Sequence, residues 1–180
     1  MKKYLFTTVR IMTAVVLFAA AIIIMPKTTE AAAYTYTNDT YGFSIQCPTE
    51  PIGVLDLARQ PGGNKGVMLV FENQGMDVTC GWIVMTDAFK DENIPDLSKL
   101  TKEQADEVLK AVVAENGIAA IVAVEENPAI YTIAKTEDMA KTYIRGKNGQ
   151  HYVVALTADK NIFKERLHAY QEGLLTFKTK

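Results

Sequence analysis

Three short segments that are apolar without alternation constrain the fold more than any other feature of this chain. They are Val67–Phe71, Trp82–Met85 and Tyr152–Leu156. Successive side chains of a strand point to opposite faces of its sheet, so a strand that is apolar throughout is normally covered on both faces. The chain also contains two amphipathic segments of helical period. We therefore expect a helix–sheet–helix sandwich, with one helix or more on each face.

The two predicted helices carry clear start signals. The first begins at Thr101, followed three residues later by Gln104 in a capping-box pattern, and ends at Gly117. The second begins at Asp159 or Asn161, either of which is a competent N-cap, and continues to the chain end. Its apolar stripe comprises Ile162, Phe163, Leu167, Tyr170, Leu174 and Phe177.

A hairpin before the second helix is the clearest local signal. Met139–Arg145 and His151–Thr157 are rich in β-branched and aromatic residues, and Asn148-Gly149 between them tolerates the positive φ of a type I′ turn. Further strands are predicted at Tyr34–Thr37, Tyr41–Cys47, Ile118–Val124 and Ile130–Ala134.

The long connection Thr49–Gly66 is predicted to contain little structure beyond one helical turn at Val54–Ala58. Such a connection is either a functional loop or plain surface linker. Its run Gly62–Gly66 lacks the Gly-Lys-Ser/Thr order of a phosphate loop, so we interpret it as a turn.

Residues 1–33 resemble a secretory signal peptide. Lys2, Lys3 and Arg10 precede the uncharged run Ile11–Met25, and small residues lead to a cleavage point between Ala33 and Tyr34. An uncleaved membrane anchor is the rival interpretation, but a spanning helix needs about 20 apolar residues. We expect a mature domain of residues 34–180 outside the cytoplasm, periplasmic or secreted, without a stable membrane span.

The charge balance argues against two classes of partner. The leader holds four basic residues and one acidic residue, which leaves 15 of 19 basic and 20 of 21 acidic residues and a net charge of −5. Nucleic acids and anionic lipid surfaces both attract basic proteins. We therefore predict neither as a partner.

The cysteines Cys47 and Cys80 of an exported chain invite a disulfide. If 43–47, 67–72 and 80–88 form an antiparallel meander, the two lie at opposite ends of the sheet, beyond the bridging limit of about 7 Å between Cα atoms. A non-sequential strand order would allow the bridge. The alternative is two small buried hydrophobes.

Known catalytic patterns are not found: the chain has no G-x-S-x-G, H-E-x-x-H, C-x-x-C or Walker A sequence. His151 and His168 lack a second ligand at metal spacing, and we interpret both as surface residues. No catalytic residue and no cofactor is predicted. Trp82 is favoured as a core residue.

Two residue groups are weak candidates for binding. Acidic residues before the first helix resemble a calcium loop only loosely, and a solvated charged loop is the usual explanation. Three tyrosines at the mature N-terminus either form a docking surface or pack the first strand. The acidic group is Asp87, Asp91, Glu92 and Asp96, and the tyrosines are Tyr34, Tyr36 and Tyr41.

The two ends of the mature chain resemble the PsbP-like family, the fold of PsbP, DcrB-type and MOG proteins. The opening match is Tyr41-Gly42-Phe43-Ser44-Ile45 with Pro48, and the closing match is Leu174-Leu175-Thr176-Phe177-Lys178. The resemblance implies an α+β fold, an α/β/α sandwich on a mainly antiparallel twisted sheet in a single domain. It also implies a protein that acts by binding other proteins, although no functional residue of the family can be matched here.

Three functions follow as hypotheses. The favoured one is an exported, non-enzymatic accessory protein that binds a protein partner in the cell envelope. The alternative is a small extracytoplasmic hydrolase or ligand-binding protein that uses residues 49–66 as a lid. The third is a structural envelope component held by an uncleaved leader.

Overall fold

The structure, a computed structural model, describes residues 33–87, 95–147 and 149–180, without the side chains of 114–116. All of the predicted leader except Ala33 therefore lies outside the described residues. Ala32–Lys180 forms one compact unit. The strands are Tyr34–Asn38 (β1), Phe43–Cys47 (β2), Gly53–Asp56 (β3), Gly66–Gln74 (β4), Asp77–Thr86 (β5), Gly117–Val124 (β6), Asn127–Ala134 (β7), Met139–Arg145 (β8), His151–Ala158 (β9) and Lys178–Thr179 (β10); the helices are Lys102–Asn116 (α1) and Lys160–Leu175 (α2).

A seven-stranded antiparallel sheet contains the three uniformly apolar segments. Its strand order is β3-β4-β5-β9-β8-β7-β6, so the segments lie on three adjacent strands, β4, β5 and β9. Leu69 is opposite Trp82, and Trp82 is opposite Leu156. The expected mainly antiparallel sheet is confirmed.

The first face of this sheet packs against α2. Trp82 is 1% exposed, which confirms its core position, and its ring centroid lies 5.8 Å from that of Tyr170 in an edge-on contact. The Tyr170 hydroxyl donates to Val154 O at 2.8 Å and lies 2.9 Å from Thr142 Oγ1. The buried Tyr170 hydroxyl therefore has hydrogen-bond partners on the sheet.

The second face carries α1. Thr101 Oγ1 accepts from Gln104 N at 3.3 Å and Thr101 N donates to Gln104 Oε1 at 2.9 Å, so the predicted capping box is confirmed. The helix packs against β6 and β7. Ile130 and Thr132 of β7 point away from the core residue Tyr131 and are nevertheless buried, as a covered second face requires. The architecture is an α/β/α sandwich.

A second, three-stranded sheet of order β1-β2-β10 lies beside the core, and it corrects two predictions. The meander of 43–47 with 67–72 is wrong, because β2 pairs with β1 and β10 instead. The helix also stops before the chain end. The Thr176 hydroxyl donates to Gly173 O at 2.6 Å and accepts from Gln46 N at 2.8 Å, which ends α2 and directs the following residues to β2.

The connection 49–66 is more ordered than predicted. It contains β3, which pairs with β4, and a 3₁₀ turn at Leu57–Arg59 rather than a helical turn at Val54–Ala58. The Asp56 side chain accepts from Ala58 N at 3.1 Å and so caps this turn. The prediction that Thr49–Gly66 contains little structure is therefore wrong.

Two hairpin turns use left-handed backbone. In the β8–β9 hairpin Gly149 has φ 77° and its N–H donates to Gly146 O, while Gly146 N donates to Gln150 O; three residues, rather than the predicted two, thus separate the paired positions. Asn148 lies outside the described residues. The β6–β7 hairpin has the two-residue loop, with Glu125 at φ 51° and Glu126 at φ 67°. A type I′ turn needs positive φ at both positions, which glutamate adopts only with strain.

Candidate functional site

A cavity of about 330 Å³, lined by polar and apolar residues, opens where β7 and β8 separate. Their ladder starts at Ile130 opposite Tyr143, so the first residues of β7, Pro128 among them, have no β8 partner. Asn127 bridges the gap by donating from Nδ2 to Arg145 O at 3.3 Å. The lining residues are Pro95, Asp96, Leu97, Ser98, Asn127, Pro128, Tyr143, Arg145, Gly146 and Lys147.

The charged side chains that line this cavity form ion pairs. Asp96 Oδ2 lies 3.2 Å from both Arg145 Nη1 and Lys99 Nζ, and Lys147 Nζ lies 3.1 Å from Glu126 Oε2. The hydrogen bond from the Ser98 hydroxyl, together with Lys99, lowers the pKa of Asp96 to about 2. Asp96 is therefore ionised at neutral pH and is a poor general base.

Ser98 supplies a hydroxyl to this cavity. Ser98 is hydrogen-bonded to a carboxylate, but no histidine or cysteine stands among the described residues that line the cavity. A second cavity, near the start of α2, is lined by Val78, Thr136, Asp138, Thr157, Ala158, Asp159 and Lys160. Neither cavity is lined by a residue of 49–66, so neither supports the lid hypothesis.

The acidic candidates do not come together where the structure describes them. Asp87 Oδ2 lies 3.7 Å from Lys65 Nζ, and Asp96 is engaged as described above. Asp91 and Glu92 lie outside the described residues. Over residues 33–87, 95–147 and 149–180, no three His, Cys, Asp or Glu side chains are grouped as a metal site would require.

Both cysteines are buried free thiols in the hydrophobic core, as in the alternative interpretation of the sequence. The meander that placed them at opposite ends of one sheet is absent, because Cys47 belongs to the small sheet and Cys80 to the large one. Burial raises the pKa of Cys47 to about 12 and that of Cys80 to about 11. Thiols with such pKa values are inert near neutral pH.

The tyrosines and histidines occupy mixed surroundings. Tyr34, Tyr36 and Tyr41 are half-buried and pack against the core cluster, which fits the strand-packing alternative. The Tyr41 hydroxyl also donates to Asp56 Oδ1 at 3.0 Å and so adjoins the end of β3.

The two histidines, both predicted at the surface, differ in exposure. His168 is exposed, with Nε2 3.3 Å from Glu172 Oε1, whereas His151 is half-buried.

The edge strand β3 exposes an apolar surface that the sequence interpretation missed. Ile52 is 63% exposed, Val54 47% and Leu55 39%, and β3 is the terminal strand of the large sheet. Met68 lies opposite Leu55 and is half-buried beside it. The sequence signal for this surface was the apolar residues Ile52, Val54 and Leu55, which Pro51 precedes and Gly53 divides. Val54 and Leu55 are successive residues and point to opposite faces, so the exposed apolar side chains lie along the edge on both faces of the sheet. Apolar residues exposed along one edge indicate an interaction surface.

The fold and its surfaces define an α+β sandwich domain with an exposed, apolar sheet edge at β3. No family model matches the chain, and no curated protein matches it significantly. Among solved structures, it is similar to the solution structure of cyanobacterial PsbP (CyanoP) from Synechocystis sp. PCC 6803, with 11% identity, 88% of this chain and 99% of that chain covered, and a TM-score of 0.48. A likeness at this level transfers no residue role, partner or activity. Within the described residues, no helix is both long and apolar enough to cross a membrane.

Proposed function

We propose that this chain is an exported, non-enzymatic accessory protein that binds a protein partner through the β3 edge of its large sheet. The observation that carries the proposal is the exposure of Val54 and Leu55 on a terminal strand and of Ile52 directly before it. An edge strand presents backbone N–H and C=O groups that an extended peptide can pair with, and neighbouring apolar side chains select the peptide. The partner would be an extended, uncharged segment rich in apolar residues.

The surroundings of β3 support a preformed surface. β3 is held in register with β4 from Gly53 opposite Val70 to Asp56 opposite Val67. Asp56, at its end, accepts from the Tyr41 hydroxyl and lies 3.4 Å from Arg59. Because this end of β3 is fixed, the protein would lose less conformational entropy on binding a partner than it would if a flexible loop had to become ordered.

The resemblance of the two end motifs to the PsbP-like family gives further support, since that family is associated with protein binding. In the structure the motifs meet: Phe43 stacks on Phe177 at 5.8 Å between ring centroids, and Lys178 is opposite Ser44. The leader pattern and the net negative charge support a location outside the cytoplasm, in contact with proteins rather than with nucleic acid.

A quantitative capture experiment tests the proposal. Protein purified from cells that express the full chain is immobilised as wild type, Val54→Lys and Ala58→Lys and exposed to envelope extract. Both substituted positions are exposed and four residues apart, so both variants should fold. We expect wild type and Ala58→Lys to retain the same amount of a partner. Val54→Lys should retain at least about tenfold less, because a lysine opposes apolar contact at the edge. Equal capture by all three would overturn the proposal.

The leader prediction has its own test. We infer that the chain is cleaved after Ala33, and the first residue of protein recovered from expressing cells should then be Tyr34. Recovery of an intact N-terminus in a membrane fraction would favour the anchored envelope component instead.

A further inference from the structure

The cavity between β7 and β8 has the size and the mixed lining of a small-molecule site. Its volume of about 330 Å³ lies at the lower end of the range for such sites, which is about 300–1,000 Å³. Sites of this kind surround the apolar body of a ligand and fix its polar group with a few side chains. The residues that supply apolar surface here are Pro95, Leu97, Pro128 and Tyr143.

The charged groups at the cavity carry a net positive charge. Arg145, Lys147 and Asp96 line it, and their further ion-pair partners are Lys99 and Glu126. Three cations and two carboxylates leave a net charge of +1. The Lys147–Glu126 pair is exposed, with the side chains 57% and 89% exposed, and exposed pairs stabilise little. An anion can therefore replace Glu126 as the partner of Lys147.

Asp96 does not offer a site for a cationic ligand, because its acceptor positions are already used. Its Oδ1 atom accepts from Ser98 N at 3.2 Å and from the Ser98 hydroxyl at 2.6 Å. Its Oδ2 atom lies 3.2 Å from both Arg145 Nη1 and Lys99 Nζ. A carboxylate has about four lone-pair sites, so these four donors leave no place for the ammonium group of a ligand.

Arg145 is held in place and still has donors to offer. Its hydrogen bond to Asp96 uses one donor at Nη1, whereas a guanidinium has about five N–H donors. The side chain is 43% exposed, so a ligand can reach it. Its main chain is fixed as well, because Arg145 O accepts from Asn127 Nδ2 at 3.3 Å. A planar guanidinium held in this way suits the two parallel hydrogen bonds of a carboxylate.

We propose that this cavity binds a small organic carboxylate, a monoanion with an apolar body. The carboxylate pairs with Arg145 and Lys147, and the apolar body packs against Tyr143 and Pro128. A single negative charge balances the net charge of the site, whereas a phosphate group carries about −1.5 to −2 and offers no apolar surface. The cavity lies away from the β3 edge, between strands of the other half of the sheet, so the proposal does not rest on the proposed function.

NMR titration of protein purified from cells that express the full chain tests the ligand class. The probes are benzoate, benzamide as its neutral counterpart, acetate and inorganic phosphate. We expect saturable amide shifts with benzoate, centred on Ser98, Gly146 and Lys147, and an affinity at least about tenfold weaker for each of the other three probes. No saturable binding of benzoate, or equal affinity for benzamide, acetate or phosphate, would overturn the proposal.

Matched substitutions test the assigned side chains. Arg145→Gln removes the guanidinium from the cavity, and Arg59→Gln removes one from an exposed pair with an aspartate elsewhere. We expect the dissociation constant for benzoate to rise about tenfold or more in Arg145→Gln, to rise less in Arg145→Lys, which keeps the charge without the planar fork, and to stay unchanged in Arg59→Gln.

Lys147→Gln provides a second variant whose folding is not in question, because it loses only an exposed ion pair. It should weaken benzoate binding by about threefold or more at an unchanged melting temperature. Wild-type affinity in Arg145→Gln and Lys147→Gln, or an equal loss of affinity in Arg59→Gln, would overturn the proposal.

Discussion

Gly173, in the interior of α2, yields a prediction whose sign depends on the tertiary structure. Helix propensity alone predicts that Gly173→Ala stabilises the protein by about 1 kcal/mol. In the structure, however, a Cβ at this position would lie 2.5 Å from Trp82 Cη2 and 2.6 Å from Gln46 O. Carbon contacts are normal at about 3.5–4.0 Å, so the overlap is about 1 Å with two groups that have little freedom to move.

Overpacking of this kind typically costs about 1–3 kcal/mol, and the upper half applies here because one neighbour is a buried indole and the other is backbone. After the propensity gain, we expect Gly173→Ala to lower the free energy of unfolding by about 1–2 kcal/mol. Urea denaturation followed by circular dichroism measures this change, with an unchanged m value.

A double-mutant cycle with Trp82→Phe separates the contact from the helix. The smaller ring removes the nearest indole atoms, so Gly173→Ala should cost about 1 kcal/mol less in that background. Stabilisation by Gly173→Ala in the wild type, or a coupling energy of zero, would refute the close approach of α2 to the sheet.

Three further predictions concern other buried or strained groups. Tyr170→Phe leaves Thr142 Oγ1 and a main-chain carbonyl without their buried partner and should cost about 1–3 kcal/mol in urea denaturation; a change below about 0.5 kcal/mol would contradict the assigned hydrogen bonds. The raised pKa of Cys47 means that its folded thiol stays protonated while the unfolded thiol ionises, so the free energy of unfolding should fall as pH rises from about 9 towards 12, by up to about 1.4 kcal/mol per pH unit. Tyrosines ionise in the same range, so the difference between wild type and Cys47→Ala isolates the thiol, and parallel pH curves would contradict its burial. Glu126→Gly should stabilise the protein by about 1 kcal/mol, since it relieves a positive φ and loses only an exposed ion pair. Glu125→Gly relieves a positive φ too, but it loses the carboxylate that accepts from Thr179 N and Oγ1 and should therefore stabilise less. Equal shifts of the melting temperature for the two variants would contradict this difference.

Local patterns in the sequence predicted the layers of the fold. The three uniformly apolar segments require cover on both faces, and the capping box at Thr101 with the apolar stripe of the second helix supplied two helices to provide it. Each of these signals depends on neighbouring residues. The helix–sheet–helix arrangement could therefore be predicted without knowing which strands pair with one another.

Strand partners could not be predicted in the same way. The pairing of Ser44 with Lys178 joins residues that lie far apart in the sequence, and neither strand carries a signal for the other. The Glu125-Glu126 turn was missed because glutamate is not a turn-forming residue. The exposed β3 edge was missed as well, since a strand lies at an edge only by virtue of the order of the whole sheet.

Site-specific photo-crosslinking in cells tests the proposed binding surface most directly. A photo-reactive side chain at residue 54, on the exposed edge of β3, is compared with one at residue 58, which is exposed in the following 3₁₀ turn. The account predicts a discrete adduct to a second protein from residue 54 and none from residue 58. The same adducts from both positions, or none from residue 54 in folded, exported protein, would contradict it.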